Sequence, residues 1–564
     1  MEHSALHATQ LISVLLVLAA PLLALLVLLP ARRAAALTSA SGDMSDAMLG
    51  ATARAAAWAA LVGASTCFLN LVVQVAEFEG VTILAGTDRE VLWRFATATT
   101  VGRLASLRGA LLLLATVAAF RLARAPERFR ASAAWLPMLL IGLAAAAAWA
   151  LVSHAAAQPL GRELAVTMHF LHLLGAAGWI GVLGHLLLVR HLLVAAEDAQ
   201  QVALVAAIVG RFSPLALLAA TTLLGTGATG AWFFLGTPAA LLTSAYGLTL
   251  ATKLALLALL LGGGFVNYRI VRPGLRRVAA DPAQVAPGAD GGPARPLLVR
   301  LARTIELEVT VGLLVVTTAG ILAGISAPTP AGEGRLDDAQ IASILTPRAP
   351  RTEIADPATW VGSDSRTDDD LRYSEFMHSW SGVLVVLLGI AWLVQSVGGD
   401  GRAARIAGWV WPAAFIPFAV FVAIASDPEV WPMGTVSPWV ALTDPIVLEH
   451  RIGALMIVLL AVLGWREARR GGKDRPLGRA LPIVMILGSL LLLGHAHSSF
   501  SASDRLTTII NVQHAILGGL GVLAGAVRWL ELRDLVPRRA ARVVWPLLVI
   551  AIGAFMALGY RELV

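Results

Sequence analysis

The chain has 564 residues, 57% of them hydrophobic and 14% charged, and its mean hydropathy is +0.76. Soluble domains carry about 25% charged residues, so a soluble, disordered or nucleic-acid-binding protein is excluded and an all-α polytopic membrane protein is expected. The net charge of +7 and the pI near 10.3 then report on loops sorted by the positive-inside rule, not on a nucleic-acid partner.

A helix that crosses the hydrocarbon core needs about 20 apolar residues. In chain order, fourteen stretches qualify: 11–30, 52–76, 101–122, 133–153, 163–189, 211–235, 244–268, 304–326, 376–397, 404–425, 446–465, 481–496, 508–529 and 543–560. The first is read as a retained helix and not a signal peptide, because residues 1–10 lack Lys and Arg while Arg32 and Arg33 follow the apolar run. That places the N-terminus outside. Alternating from there puts 29 of the 43 Lys and Arg on inward segments and 12 on outward ones, as the positive-inside rule requires. Both termini are therefore expected to be extracytoplasmic. Arg108 and Lys253 fall within spans.

Three regions follow. Residues 1–326 hold eight spans, residues 327–375 form a polar outer segment with ten acids, and residues 376–564 hold six spans. The acidic segment would raise the local concentration of a cation, within a Debye length of about 8 Å at physiological ionic strength.

There are twelve histidines and one cysteine, Cys67. A single cysteine excludes intramolecular disulfides, Cys-x-x-Cys metal sites and covalent c-type haem. Ten histidines fall in the outer half of the map: His3, His7, His154, His169, His172, His378, His450, His495, His497 and His514. Neutral imidazole is the commonest transition-metal ligand, and ionisable groups inside spans are functional candidates. His169 and His172 share one helix face, and His172 lies about nine residues into its span, roughly 14 Å deep. His154 ends the preceding span. His495, His497 and His514 repeat the arrangement, with 19 residues from His495 to His514 against 18 from His154 to His172. His378 and His450 open two further helices. Met168 and Met377, each beside a histidine, offer thioethers suited to Cu(I). Lys253, His185, Glu306 and Glu308 are candidates for an inward path. Glu306 and Glu308 are also possible charge partners of Lys253, although their depths differ.

The segment SHAAAQPLGRELAVTMHFLHLLGAAGWIG (153–181) resembles the copper resistance protein D (CopD/PcoD) family. So do RFSPLALLAATTLLGTGATGAW (211–232), TSAYGLTLATKLALL (243–257), RTIELEVTVGLLVVTTAGILA (303–323) and TTVGRLASLRGALLLL (99–114). The segments YSEFMHSWSGVLVVLLG (373–389), SDPEVWPMG (426–434), LEHRIGALM (448–456), LLGHAHSSFSASDRL (492–506) and QHAILGGLGVLAGAVRWLELR (513–533) are similar to the C-terminal membrane extension of larger members. Departures are Ser153 where Gly is usual, Val182 within the usual Gly-Gly after Trp179, and Ser379 where relatives carry a second His. The resemblance implies a multi-pass protein of the bacterial inner membrane that handles copper, with copper uptake, resistance and homeostasis as its role.

Two alternatives stand beside copper transport. One is a b-type cytochrome, with haem b held by pairs such as His172 with His154 or His450 with His514. The other is an accessory protein that passes copper to a periplasmic copper-binding protein or an oxidase. The chain has no ATP-binding loop, no Asp-Lys-Thr phosphorylation motif and no catalytic triad pattern, so enzymatic activity is not expected.

Overall fold

The computed structural model describes all residues except 1, 36–37, 80–84, 159–160, 282–293, 329–332, 358–366, 400, 443–444, 471–474, 495–504 and 564. It is 85% helical, and no strand occurs among the described residues. Among the described residues thirteen helices are long and apolar enough to cross a membrane, and a shorter apolar helix, Gly478–Gly494, stands where the twelfth span was expected. In chain order they are α1 (Leu6–Ala34), α2 (Ser39–Ala76), α3 (Thr100–Ala123), α4 (Ser132–Ala150), α5 (Arg162–Leu188), α6 (Ala199–Leu235), α7 (Ala245–Ala280), α8 (Ala294–Leu322), α9 (Asp368–Val397), α10 (Arg402–Ala425), α11 (Val447–Arg469), α12 (Gly478–Gly494), α13 (Arg505–Leu532) and α14 (Arg538–Leu558). In lipid only a helix can satisfy all its backbone groups within one segment. The long apolar runs therefore had one outcome available.

The chain divides into two compact units. The first comprises Glu2–Gly236 and Lys253–Gly324, and the second comprises Thr237–Thr252 and Ile325–Val564. The division falls within α7.

In the first unit, Val14, Leu18, Leu23, Met48, Leu49, Leu112 and Met138 are buried at the meeting of α1, α2, α3 and α4. Small residues let the backbones approach, as membrane packing favours. A Cβ on Gly320 of α8 would lie 2.7 Å from the Cα of Ala8 in α1. Arg108 is buried in this unit. Its Nη2 donates to Gln10 Oε1 (2.9 Å) and its Nε to Cys67 Sγ (3.5 Å), while its guanidinium sits 4.6 Å from the Trp149 ring centroid. Among the described residues no carboxylate pairs with it, so neutral acceptors and a π face carry its stabilisation. Among the described residues three π-helical turns interrupt the helices: Ala24–Leu28, Ala177–Gly181 and Asn267–Val271. Such turns re-aim side chains and recur at functional sites.

In the second unit the core is aromatic. Trp392 packs against Trp411 (ring centroids 5.2 Å, 70°) and Trp545 (5.3 Å, 52°), geometries that π quadrupoles favour. Leu460, Leu481 and Val549 complete this cluster. Helices α9 and α14 cross at Gly382 and Gly553, where a Cβ on Gly553 would lie 2.5 Å from Val386 N. The acidic segment contains a short helix, Asp338–Leu345, capped by Asp337, which accepts from Gln340 N. Its Ile344 packs on Ile509 and Ile510 of α13.

Candidate functional site

In the first unit the chain passes from the turn His154–Ala157 into α5 through Gly161. Its φ of +70° is left-handed backbone, which glycine adopts without a Cβ clash. His169 and His172 then lie one turn apart on α5. His172 Nδ1 is 2.8 Å from Thr226 Oγ1 of α6. The Thr226 hydroxyl donates its proton to the Thr222 carbonyl at 2.6 Å. A hydroxyl has one proton, so toward His172 Thr226 acts as acceptor and His172 Nδ1 is the N–H donor. This tautomer, assigned from the hydrogen bonds, leaves Nε2 as the lone-pair nitrogen of His172. The ring lies over Gly227, where a Cβ would be 3.5 Å from His172 Cε1. His169 Nε2 is buried with no hydrogen-bond partner among the described residues.

Lys253 lies within electrostatic range of both rings, and His154 within range of His169. His154 is exposed. Its Nε2 donates to the Ala323 carbonyl at 2.8 Å, and its ring meets Phe234 edge-on at 6.4 Å. Met168 is half-buried beside His169.

The expected pairing of Lys253 with Glu306 or Glu308 does not form. Among the described residues no carboxylate lies within ion-pair distance of Lys253. Glu308, which is buried, is held elsewhere: Trp179 Nε1 donates to Oε2 (3.3 Å) and Asn267 Nδ2 donates to Oε1. Thr304 in turn donates to Asn267 Oδ1. Trp179 and Asn267 both lie in π-helical turns, so these local distortions aim the two donors at one carboxylate. The reason Lys253 fails to reach it is distance along α7: Glu308 faces Gly263 and Gly264, about ten residues or roughly 15 Å further on. His185 is buried, and its Nε2 donates to the Leu16 carbonyl at 2.9 Å. His191 is exposed.

The second unit builds a different cluster. His378 Nδ1 donates to the Ser374 carbonyl at 2.9 Å. Its ring stacks on Tyr560 at 3.9 Å and 10°, and it lies 5.9 Å from the His514 ring. Tyr560 belongs to a segment after α14 that is tied down residue by residue. Tyr560 OH donates to Glu562 Oε1 at 2.9 Å, and Ser374 Oγ donates to the same oxygen. Glu375 Oε1 accepts from the backbone N–H groups of Glu562 (2.8 Å) and Leu563 (3.0 Å), while Arg351 Nε donates to its Oε2 at 2.8 Å. Gln513 clamps Arg561 from both sides, donating to its carbonyl (2.6 Å) and accepting from its N–H (2.7 Å). Met377 is buried next to His378. His450 Nδ1 donates to Asp427 Oδ1 at 2.7 Å, and Arg451 holds the other oxygen at 2.9 Å. A carboxylate in this role fixes the imidazole tautomer. His495 and His497 lie outside the described residues, and the side chain of His3 is likewise not described.

Sequence reasoning missed Thr226, Tyr560, Glu562, Glu375, Gln513 and Asp427. The available signals were Gln513 adjoining His514 and the polar residues Arg561 and Glu562 directly after an apolar span. Among the described residues no group of three or more His, Cys, Asp and Glu side chains is arranged to hold a metal ion. What the chain offers is pairs of imidazoles.

Residues 3–162 match the copper resistance protein D-like N-terminal domain, and residues 206–322 match copper resistance protein D. His169 and His172 fall in the stretch between the two. No curated protein and no solved structure matches the chain significantly. Both domains are present in order, so the first 322 residues carry the two parts of the copper resistance protein D family of membrane proteins.

Proposed function

We propose that the protein takes up copper across the bacterial inner membrane and holds it in transit between His169 and His172. The observation that carries this reading is the orphaned Nε2 of His169, buried one helical turn from a second imidazole whose Nε2 is also left as a lone pair. A buried polar atom without a partner is costly, and a metal ion between the two nitrogens removes that cost. Two neutral imidazoles suit copper. Lys253, in electrostatic range of both rings, opposes a permanently bound cation, which favours passage over storage. His154 stands exposed before α5 as an entry ligand, with Met168 as a soft auxiliary donor. Both termini are taken as extracytoplasmic, which puts His154 and this pair toward the side where copper arrives.

The second unit supplies a further candidate pair in His378 and His514. Two imidazoles on one ion, with metal–nitrogen bonds of about 2 Å, place their ring centroids about 5–6.4 Å apart, and 5.9 Å is found here.

The test is radiocopper uptake into proteoliposomes. Wild-type protein should accumulate copper, and a variant with His169 and His172 both replaced by Ala should not, while inserting normally. Copper binding without accumulation would support delivery to a partner protein instead. A haem absorption band in the purified protein would support the cytochrome.

A further inference from the structure

A cavity of about 330 Å³ opens in the first unit between α5, α6, α7 and α8. That volume lies in the range of ligand sites. Its walls are apolar, with Leu183, Leu186, Ile208, Phe212 and Leu261 among them. No histidine lines it. Its floor is Glu308, whose two oxygens already accept from Trp179 and Asn267. Its mouth is formed by Leu217, Phe265 and Tyr268, which are exposed.

The mouth is basic. Arg269 lies over the Phe265 ring at 5.9 Å and Arg272 over the Tyr268 ring at 5.2 Å. Arg276 follows one turn below Arg272 and reaches across to α6, 3.7 Å from where a Cβ on Gly210 would sit. Arg272 Nε is buried and meets no acceptor among the described residues. None of these arginines has a carboxylate partner among them. An apolar slot beside the buried, unsatisfied Arg272 Nε and the exposed Arg276, neither with a carboxylate partner among the described residues, calls for a ligand with a long hydrocarbon body and an anionic head. A lipophilic amine fits poorly, because the arginines repel it and the Glu308 oxygens are occupied.

We propose that this cavity holds an acyl chain of an anionic phospholipid whose phosphate is bound by Arg272 and Arg276. The full chain in detergent is titrated with dioctanoyl phosphatidylglycerol, dioctanoyl phosphatidylethanolamine and inorganic phosphate. Phosphatidylglycerol should bind saturably and more tightly than phosphatidylethanolamine, and phosphate alone should not displace it. Replacing Arg272→Gln and Arg276→Gln together should weaken phosphatidylglycerol binding by about 30-fold, the effect of two basic contacts. Ala216→Trp, which fills the cavity and leaves the arginines in place, should abolish binding of both lipids. Equal affinity for the two lipids overturns the proposal without recourse to any variant. So does displacement by phosphate alone, or unchanged binding in the double variant.

Discussion

His172 of α5 and Thr226 of α6 are joined by a hydrogen bond whose direction is fixed by a third group. Thr226 gives its only proton to Thr222, so it accepts from His172 Nδ1 at 2.8 Å. The consequence is chemical: His172 presents Nε2, not Nδ1, as its lone-pair nitrogen. Thr226→Val keeps the shape of the side chain and removes the acceptor. It should weaken copper affinity by about 10–100-fold, the usual effect of losing an orienting partner, while Thr226→Ser retains binding. Competition titration of Cu(I) against a chromophoric chelator measures this.

On the proposed function, in which one ion is held between His169 and His172, their substitutions should not add. His169→Ala and His172→Ala should each reduce copper binding as far as the double variant does, the mark of residues that act as one unit. His154→Ala should slow uptake more than it weakens equilibrium binding, because His154 is exposed and its Nε2 is committed to Ala323. Additive losses from the two single variants would place the ions at separate sites.

Glu308 organises a buried network, and removing it strands its donors. Glu308→Ala leaves Trp179 Nε1 and Asn267 Nδ2 without their acceptor, at about 1–3 kcal/mol per stranded group. Glu308→Gln, which keeps an acceptor oxygen, should cost less. Thermal unfolding in detergent ranks the variants, and equal transition temperatures for the Ala variant and wild type would show that the network contributes no stability.

The segment Tyr560–Leu563 is part of the second unit's interior. Deleting residues 559–564 removes the ring stacked on His378 and the two N–H groups held by Glu375. It leaves Glu375 buried with Arg351 as its remaining partner. Protease sensitivity should rise in α9 and α14, and Glu375→Gln should produce a weaker form of the same change. Limited proteolysis with mass mapping reads both.

Asp337 gives the short helix Asp338–Leu345 a pH dependence. Its carboxyl is held below the usual aspartate value of 3.8 by the backbone N–H of Gln340 and by the Arg505 charge. A lowered folded-state pKa contributes stability that is complete above the unfolded value and lost as pH falls through the folded one. Protection from hydrogen exchange in residues 338–345, taken relative to the intrinsic rate at each pH, should therefore be high at neutral pH and fall below about pH 4. Asp337→Asn should remove most of that dependence.

The spans and the family were legible in the sequence because hydrocarbon thickness and backbone hydrogen bonding act locally. An apolar run of sufficient length has one structure open to it in lipid. Periodicity likewise put His169 and His172 on one face, since an i,i+3 pair needs no knowledge of the neighbours. Tertiary structure decided what those faces meet. Lys253 was free to pair with Glu308 by composition, yet the helix offset and two π-helical turns gave the carboxylate to Trp179 and Asn267. His378 is joined by Tyr560, 182 residues away, and His172 by Thr226, 54 residues away. Such contacts depend on which helices pack together and at what depth, and no local pattern in a single chain encodes that. The sequence by itself determined a membrane protein rich in imidazole. Only the packing decided which imidazole nitrogens were left without a hydrogen bond.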